Sequence, residues 1–465
     1  MLTYLLEHDK QKPLYLCLYA FIRKDIESGI LKPNEKLPSK RNLAEHLHIS
    51  VITVQNAYTQ LIVEGYIYPI ARKGYYVVPL QQTVPLTSEH RETKEIIPRR
   101  QENKIRFDFK SNSTIPDQFP FTIWAKLMRE VLSERNPELL ESGPSNGNEK
   151  LRISIATYLH DFRGMTVSAD RIVIGAGAEY LYSLVVQLLG RDKVYAVENP
   201  GYQKIAKIYR NNGAVCLPVR TDDHGISAET LQSSDAEVVH ITPAHHFPLG
   251  IVMPISRRNE LLAWANEEED RIIIEDDYDS EFRFQGKPVQ PMINIDQNQK
   301  VIYVNTFSKT LFPSLRISYM VLPDRFMQIY NKKLGFYSST VPSFDQLVLA
   351  NFIARGYYEQ HINRMRNYYK RLRNQLIFSL RQSSLQDQIQ IIEEDSGLHF
   401  LLKVDTTMKD EEIVKKAEIL GINLSCLSEY YFDRNSRENG TLLINYSGIS
   451  IEQVDEAIET LSAIF

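Results

Sequence analysis

VIYVNTFSKTLFPSLRISYM, residues 301–320, decides how the rest of this chain is read. Its first five residues form a short run, apolar on both alternating faces, that predicts a strand buried on both sides. Lys309 follows, preceded by the hydroxyls of Thr306 and Ser308, with Arg316 seven residues further on. That order fits a lysine whose amine forms a Schiff base, with two hydroxyls and a guanidinium turned toward a phosphate. Burial at such a place lowers an amine's pKa, as imine chemistry requires. A Ser-Lys pair alone carries no weight, since most lysines are solvated surface groups.

The partners of Lys309 lie upstream. RIIIEDDYDSEFRF (271–284) puts Asp276 at the end of an isoleucine-rich strand, where a carboxylate holds a pyridine nitrogen protonated and the ring an electron sink. Tyr278 then stands where it donates to the ring's phenolate oxygen. A solvated acidic loop is the plainer reading, and the apolar strand before it fits that poorly. RIVIGAGAEY (171–180) reads strand, Gly-rich turn and helix start, with Gly177 and Ala178 presenting backbone N–H groups to the phosphate. VENPGYQK (197–204) offers Tyr202 as an aromatic over the ring. HITPAHHFPLG (240–250) brings His245 and His246 to a strand-end loop, where a histidine pair more often packs than reacts. The set predicts a pyridoxal 5′-phosphate (PLP) site with Lys309 as its catalytic residue and no metal.

Around these motifs, short apolar runs alternate with helical stretches, the signature of an α/β layer architecture. Strands are expected at 171–174, 193–197, 238–242, 271–275 and 301–305, with helices at 179–189 and 202–210. Runs apolar on both faces suit a mostly parallel central sheet. A long basic helix starts near Tyr357, and a smaller C-terminal α+β lobe begins at about 388.

The N-terminal residues read differently. Leu14, Leu18, Phe21, Ile22 and Ile26 share one helical face up to Ser28. Ser39 caps a second helix running to Leu47, and Ser50 caps a third, ended by Gly65. YIYPIARKGYYVV then alternates as a hairpin with its tip at Ala71-Arg72-Lys73-Gly74. Two short helices, a tight turn and a basic hairpin are what a winged helix-turn-helix needs to meet double-stranded DNA. Ser39, Lys40 and Arg41 sit at a helix start that suits a phosphate. Ser50, Thr53, Gln55 and Asn56 face a groove, and Arg72 and Lys73 at the wing tip reach a minor groove or phosphates.

Between the two regions, 80–106 carries prolines, alternating charge and no apolar period, and reads as a linker. The domains expected are therefore 1–79, a linker over 80–106 and a body over 107–465, with the small lobe at 388–465. The whole chain of 465 residues has a net charge of −4, but residues 1–80 hold ten Lys/Arg against seven Asp/Glu. A basic head on an acidic body suits a polyanion partner. Three scattered cysteines, no leader pattern and no long apolar run point to a reducing cytoplasm and no membrane.

The head resembles the GntR family of bacterial winged-helix regulators through Leu37-Pro38-Ser39 with Arg41, Leu43-Ala44, Thr53-Val54, Ala57-Tyr58, Leu61, Glu64-Gly65 and Gly74. The body, including GLHFLLKV (397–404), resembles the fold type I, aspartate aminotransferase-like enzymes. Head and body together resemble the MocR subfamily. The resemblance implies that Lys309 carries PLP as an internal aldimine, and that an amine, an amino acid or PLP itself is the effector. It also implies a domain-swapped homodimer whose two heads reach DNA half-sites.

Four departures stand out. Val51-Ile52 follow Ser50, where the family often has a polar or basic residue, and Lys204 replaces an effector-contacting arginine. SGPSNG (142–147) replaces a segment that brings an aromatic to the cofactor. Only Arg434 stands in the C-terminal segments where aminotransferases hold the substrate carboxylate. A working PLP-dependent aminotransferase carrying a DNA-binding head is the alternative function, and that missing arginine argues against its turnover.

Overall fold

The structure is a computed structural model that describes residues 4, 13–79, 105–111, 113, 116–133, 137–284, 289–392, 397–433 and 439–465. The chain divides into two units, Met1–Arg100 and Gln101–Phe465. Most of the stretch read as a linker, 80–104, lies outside the described residues.

Among its described residues the first unit has three helices, Leu14–Glu27, Lys40–Leu47 and Val51–Val63, followed by antiparallel strands Ile67–Ile70 and Gly74–Val77. Both expected caps form. The Ser39 and Ser50 hydroxyls accept the N–H groups of Asn42 and Thr53 at 3.2 and 3.0 Å. Leu18, Ile22, Leu43, Val54, Ala57, Tyr58 and Leu61 close one apolar core. Phe21 does not join it. It is 40% exposed and stacks on Tyr4 instead, because Leu18 and Ile22 already fill the inward stripe.

The second unit is built on an eight-stranded sheet. Its strand order is Ile172–Gly175, Ser318–Val321, Val301–Thr306, Ile272–Asp276, Val238–Ile241, Val194–Asn199, Val215–Asp222 and Gly225–Ile226. The run from Val301–Thr306 to Val215–Asp222 is parallel, while Ser318–Val321 is antiparallel to both neighbours. That strand went unread because RISYM carries polar residues, yet Ser318 is buried by bonding Thr306 at 2.8 Å.

Successive residues of the strands feed opposite cores. Ile172 and Ile174 pack with Leu127, Leu151 and Phe352, whereas Val173 packs with Leu181, Val185 and Tyr209. Helices on both faces explain the continuous apolar runs, and each fully buried Val, Ile or Leu contributes ~1.5–3 kcal/mol.

The smaller lobe has strands ordered Ile389–Ile392, His399–Val404, Thr441–Asn445 and Ser425–Cys426, all antiparallel. It is not continuous in sequence. Phe107–Asp108 pairs with Ile422–Asn423, and Phe107 and Phe109 enter the lobe's core beside Tyr369 and Leu372 of the helix Tyr357–Gln382. Arg106, which the sequence assigns to the linker, already donates its N–H to the Gly421 carbonyl at 2.7 Å.

Candidate functional site

In an open α/β sheet the loops at the carboxyl ends of parallel strands are free to hold a ligand. Here they enclose a cavity of about 180 Å³. Ala178, Tyr202, Asp276, Tyr278, Thr306, Ser308, Lys309 and Arg316 all line it, so eight of the nine expected cofactor residues meet in one place.

Asp276 ends its strand as a buried carboxylate. Tyr182 donates its hydroxyl to Asp276 Oδ2 at 2.5 Å, and His240 Nε2 stands 3.4 Å from the same oxygen. His240 is held in turn by Tyr209, 2.6 Å from Nδ1. Lys309 Nζ lies 5.6 Å from the centroid of the Tyr278 ring. Burial pulls the Lys309 ammonium down to about 8, while Asp279 and Asp276 pull the other way.

At the other end, Arg316 adopts a left-handed conformation, φ 52°, that turns its guanidinium toward Gly177 and Glu179. Ser308 Oγ is buried with no hydrogen-bond partner, and a buried hydroxyl left so is costly unless something meets it. Thr306 Oγ1 accepts from Ser318 and from the Ser308 N–H, so its own hydrogen stays available.

Gly177 works otherwise than the sequence reading has it. Its N–H donates to the Gly175 carbonyl at 2.8 Å, so it is not free for an anion. Its contribution is the absent side chain, because a Cβ there would stand 2.5 Å from Arg316 Nη2. Ala178 does open the helix Ala178–Leu189, leaving a first-turn N–H without a helical partner.

Sequence reasoning missed Tyr182, Glu179, Thr242 and Phe247, which also line the cavity. Tyr182 and Glu179 lie in a helix read only as scaffold, one turn apart. His245 is buried against Asp279 and Tyr278, while His246 faces Glu198 at 3.5 Å. Burial pulls His246 down to about 3 and pushes Glu198 up to about 8, so both are neutral near pH 7.

In the first unit, Arg41, Gln55, Asn56, Arg72 and Lys73 are exposed. Ser39 and Ser50 are exposed too, but both hydroxyls serve as caps, and Ser50 also holds the Thr53 hydroxyl at 2.8 Å. Lys40 Nζ reaches Gln55 Oε1 at 3.2 Å, tying the two helix starts together. A groove of about 630 Å³, lined by Lys36, Ser39, Asn42 and Lys73 among others, runs beside the wing. Ile52, 71% exposed, presents the apolar surface expected at the start of the third helix.

Comparison with known proteins places both units. Residues 105–461 match the family described as aminotransferase class I and II, and residues 14–77 match the bacterial regulatory proteins of the gntR family. HTH-type transcriptional regulator YdeL of Bacillus subtilis is 36% identical over 460 residues, covering 97% of this chain and 96% of its own. The Rhizobium meliloti protein named "Probable rhizopine catabolism regulatory protein MocR" is 30% identical over 478 residues, covering 99% and 95%.

The chain belongs to the MocR subfamily of GntR-type bacterial regulators.

The fold of this MocR-type body is that of the aminotransferases. A kynurenine aminotransferase of Pyrococcus horikoshii, solved in complex with PMP, superposes with a TM-score of 0.67 at 24% identity. The match covers 77% of this chain and 90% of that one. Within the subfamily frame, Lys204 forms an ion pair with Glu179 at the cavity's rim, and none of residues 142–147 lines the cavity. Arg434 lies outside the described residues. No helix among the described residues is long and apolar enough to cross a membrane.

Proposed function

We propose that this protein is a transcriptional regulator that binds PLP in its body and operator DNA through its head. In this reading it senses an amine, an amino acid or PLP itself through the bond the cofactor makes to Lys309. The observation that carries it is the meeting of Lys309, Asp276, Tyr278, Ser308 and Arg316 in one cavity of a chain that also exposes a basic wing.

The residues present fit the cofactor. The unpartnered Ser308 hydroxyl, the Arg316 guanidinium in the notch left by Gly177 and the Ala178 N–H would take a phosphate. Asp276, held by Tyr182 and His240, would keep a pyridine nitrogen protonated. Tyr278 would donate to the ring oxygen, and Tyr202, beside Phe247 at the mouth, would cover the ring. When bound, the cofactor supplies an electrophilic aldehyde and an electron-accepting ring. Lys309, with its ammonium pulled down to about 8, keeps a usable neutral fraction to attack that aldehyde.

In the head, Lys40, Arg41, Arg72 and Lys73 would hold phosphates while Thr53, Gln55 and Asn56 read bases. The domains are 1–79 and 107–465, joined by 80–106, in a domain-swapped homodimer of the cytoplasm. An effector shifts such a dimer only through contacts that differ between its two states.

The test is direct. Full-length protein titrated with PLP should gain a near-visible absorbance band that Lys309→Ala lacks, and should retard DNA from its own promoter region. Absence of either sinks the proposal. The complete Lys309–Asp276–Arg316 set also favours a second reading, a working aminotransferase. Multiple-turnover keto-acid formation across a panel of amino donors would favour that enzyme, and single half-reactions the regulator.

A further inference from the structure

We infer that His245 and Asp279 form a positioning pair that keeps the hydroxyl hydrogen of Tyr278 aimed into the cavity, an inference that rests on the cofactor reading above.

Both carboxylate oxygens of Asp279 face one ring nitrogen, His245 Nδ1, at 2.9 and 3.1 Å. An ionised carboxylate can only accept, so Nδ1 carries a proton whether the ring is neutral or charged. The Tyr278 oxygen lies 3.3 Å from the same nitrogen. A nitrogen that already bears a hydrogen, and gives it to Asp279, cannot accept another, so the Tyr278 O–H finds no acceptor there and is left to point elsewhere. The open direction is the cavity that Tyr278 lines together with Lys309.

The alternative tautomer makes the purpose clear. Without Asp279, a neutral imidazole is free to carry its proton on Nε2, and Nδ1 becomes an acceptor. It would then draw the Tyr278 hydrogen away from the ring oxygen it is there to meet. Asp279 therefore acts on the cavity through His245, as a buried carboxylate fixes the tautomer of a histidine in other sites.

The surroundings hold the pair in place. His245 is 3% and Asp279 4% exposed. The imidazole fits only because residue 397 is glycine, since a Cβ there would stand 1.8 Å from His245 Cε1. Gly397 is pinned on both sides, its N–H to the Phe282 carbonyl at 3.0 Å and its carbonyl to the Tyr446 hydroxyl at 2.6 Å. His399 packs against His245 at 4.6 Å with Nε2 3.2 Å from the Pro248 carbonyl, and burial drives it well below the usual histidine range. That neighbour adds no charge.

The test uses the full chain and PLP, read by absorbance titration. Asp279→Asn keeps the volume but releases the tautomer. It should weaken PLP binding about tenfold, the worth of one hydrogen bond to a charged oxygen. It should also move the bound-cofactor band toward that of Tyr278→Phe. In the Tyr278→Phe background the same change should cost much less, leaving only the loss of the Asp279 charge near Lys309, because the pair then has nothing to position. His245→Asn, which keeps an N–H donor, should recover most of the affinity that His245→Phe loses. Equal penalties with and without the Tyr278 hydroxyl would overturn the pair while PLP binding stands. Wild-type protein that takes up no PLP would remove the cofactor reading and this inference together.

Discussion

The Arg316 guanidinium lies against Gly177 so closely that a Cβ at 177 would stand 2.5 Å from Nη2. Gly177 also has φ +92°, a conformation that L side chains rarely adopt. Gly177→Ala therefore strains the backbone by ~1–2 kcal/mol and displaces the guanidinium. PLP affinity should fall at least about tenfold by absorbance titration, a loss that includes one charge-assisted bond. Unchanged affinity would mean that Arg316 does not hold the phosphate.

Burial brings the Lys309 ammonium down to about 8. At pH 7 about one lysine in ten is then neutral, against fewer than about one in a thousand at the ordinary value. Only the neutral amine attacks an aldehyde, so the rate of PLP capture should rise about tenfold per pH unit up to 7 and level off above 8. Stopped-flow absorbance checks this, and a rate still climbing at pH 10 would contradict it.

The same lowered value has a stability consequence. The unfolded chain holds this proton more tightly, so the folded state is penalised below pH 8 and relieved as pH rises toward the ordinary lysine range. Lys309→Met should raise the melting temperature of the PLP-free protein at pH 7, and the gain should shrink above pH 8. A gain that does not change with pH would assign the effect to packing instead.

Tyr182 donates to a buried carboxylate at 2.5 Å. Tyr182→Phe removes that bond and leaves His240 as the nearest remaining partner. The loss should be ~1.5–3 kcal/mol of unfolding free energy by denaturant titration, as for a bond to a charged group. A loss under half a kcal/mol, on the order of an ordinary surface substitution, would place Asp276 in contact with water instead.

Arg72 and Lys73 stand exposed at the hairpin tip, Arg72 with φ +62°. Each changed to Ala should weaken DNA binding about equally across sequences and reduce the log–log salt slope by about 1. Asn56→Ala should instead relax preference at one base position, by ~1–3 kcal/mol. Gel retardation at several salt concentrations separates the two behaviours.

Much of the site was legible because its chemistry sits in short segments. Lys309 trails its strand by three residues and Asp276 closes its own, so each motif could be placed without knowing which strands are neighbours. Tyr182 and Glu179 were not legible, because each is one turn of an apolar helix and nothing local says which turn faces a ligand. The small lobe was only half legible. Its tail reads as α+β, but a two-residue pairing of Phe107–Asp108 with Ile422–Asn423 spans over three hundred residues. No periodicity records it.

The amino-acid sequence by itself determined the two-part plan, the buried parallel strands, the capped helices of the head and the candidate set of Lys309, Asp276, Tyr278 and Arg316. These follow from local rules of hydrophobic period, cap chemistry and residue type at strand ends. Only the tertiary structure decided that Gly177 yields space and not an N–H, and that Asp279 meets His245 beside Tyr278. Both depend on which atoms meet across the sheet and from the small lobe, where Gly397 makes room for an imidazole 152 positions earlier in the chain. Direction of a hydrogen bond and absence of a side chain are properties of a contact, and a contact between distant segments exists only once the chain has folded.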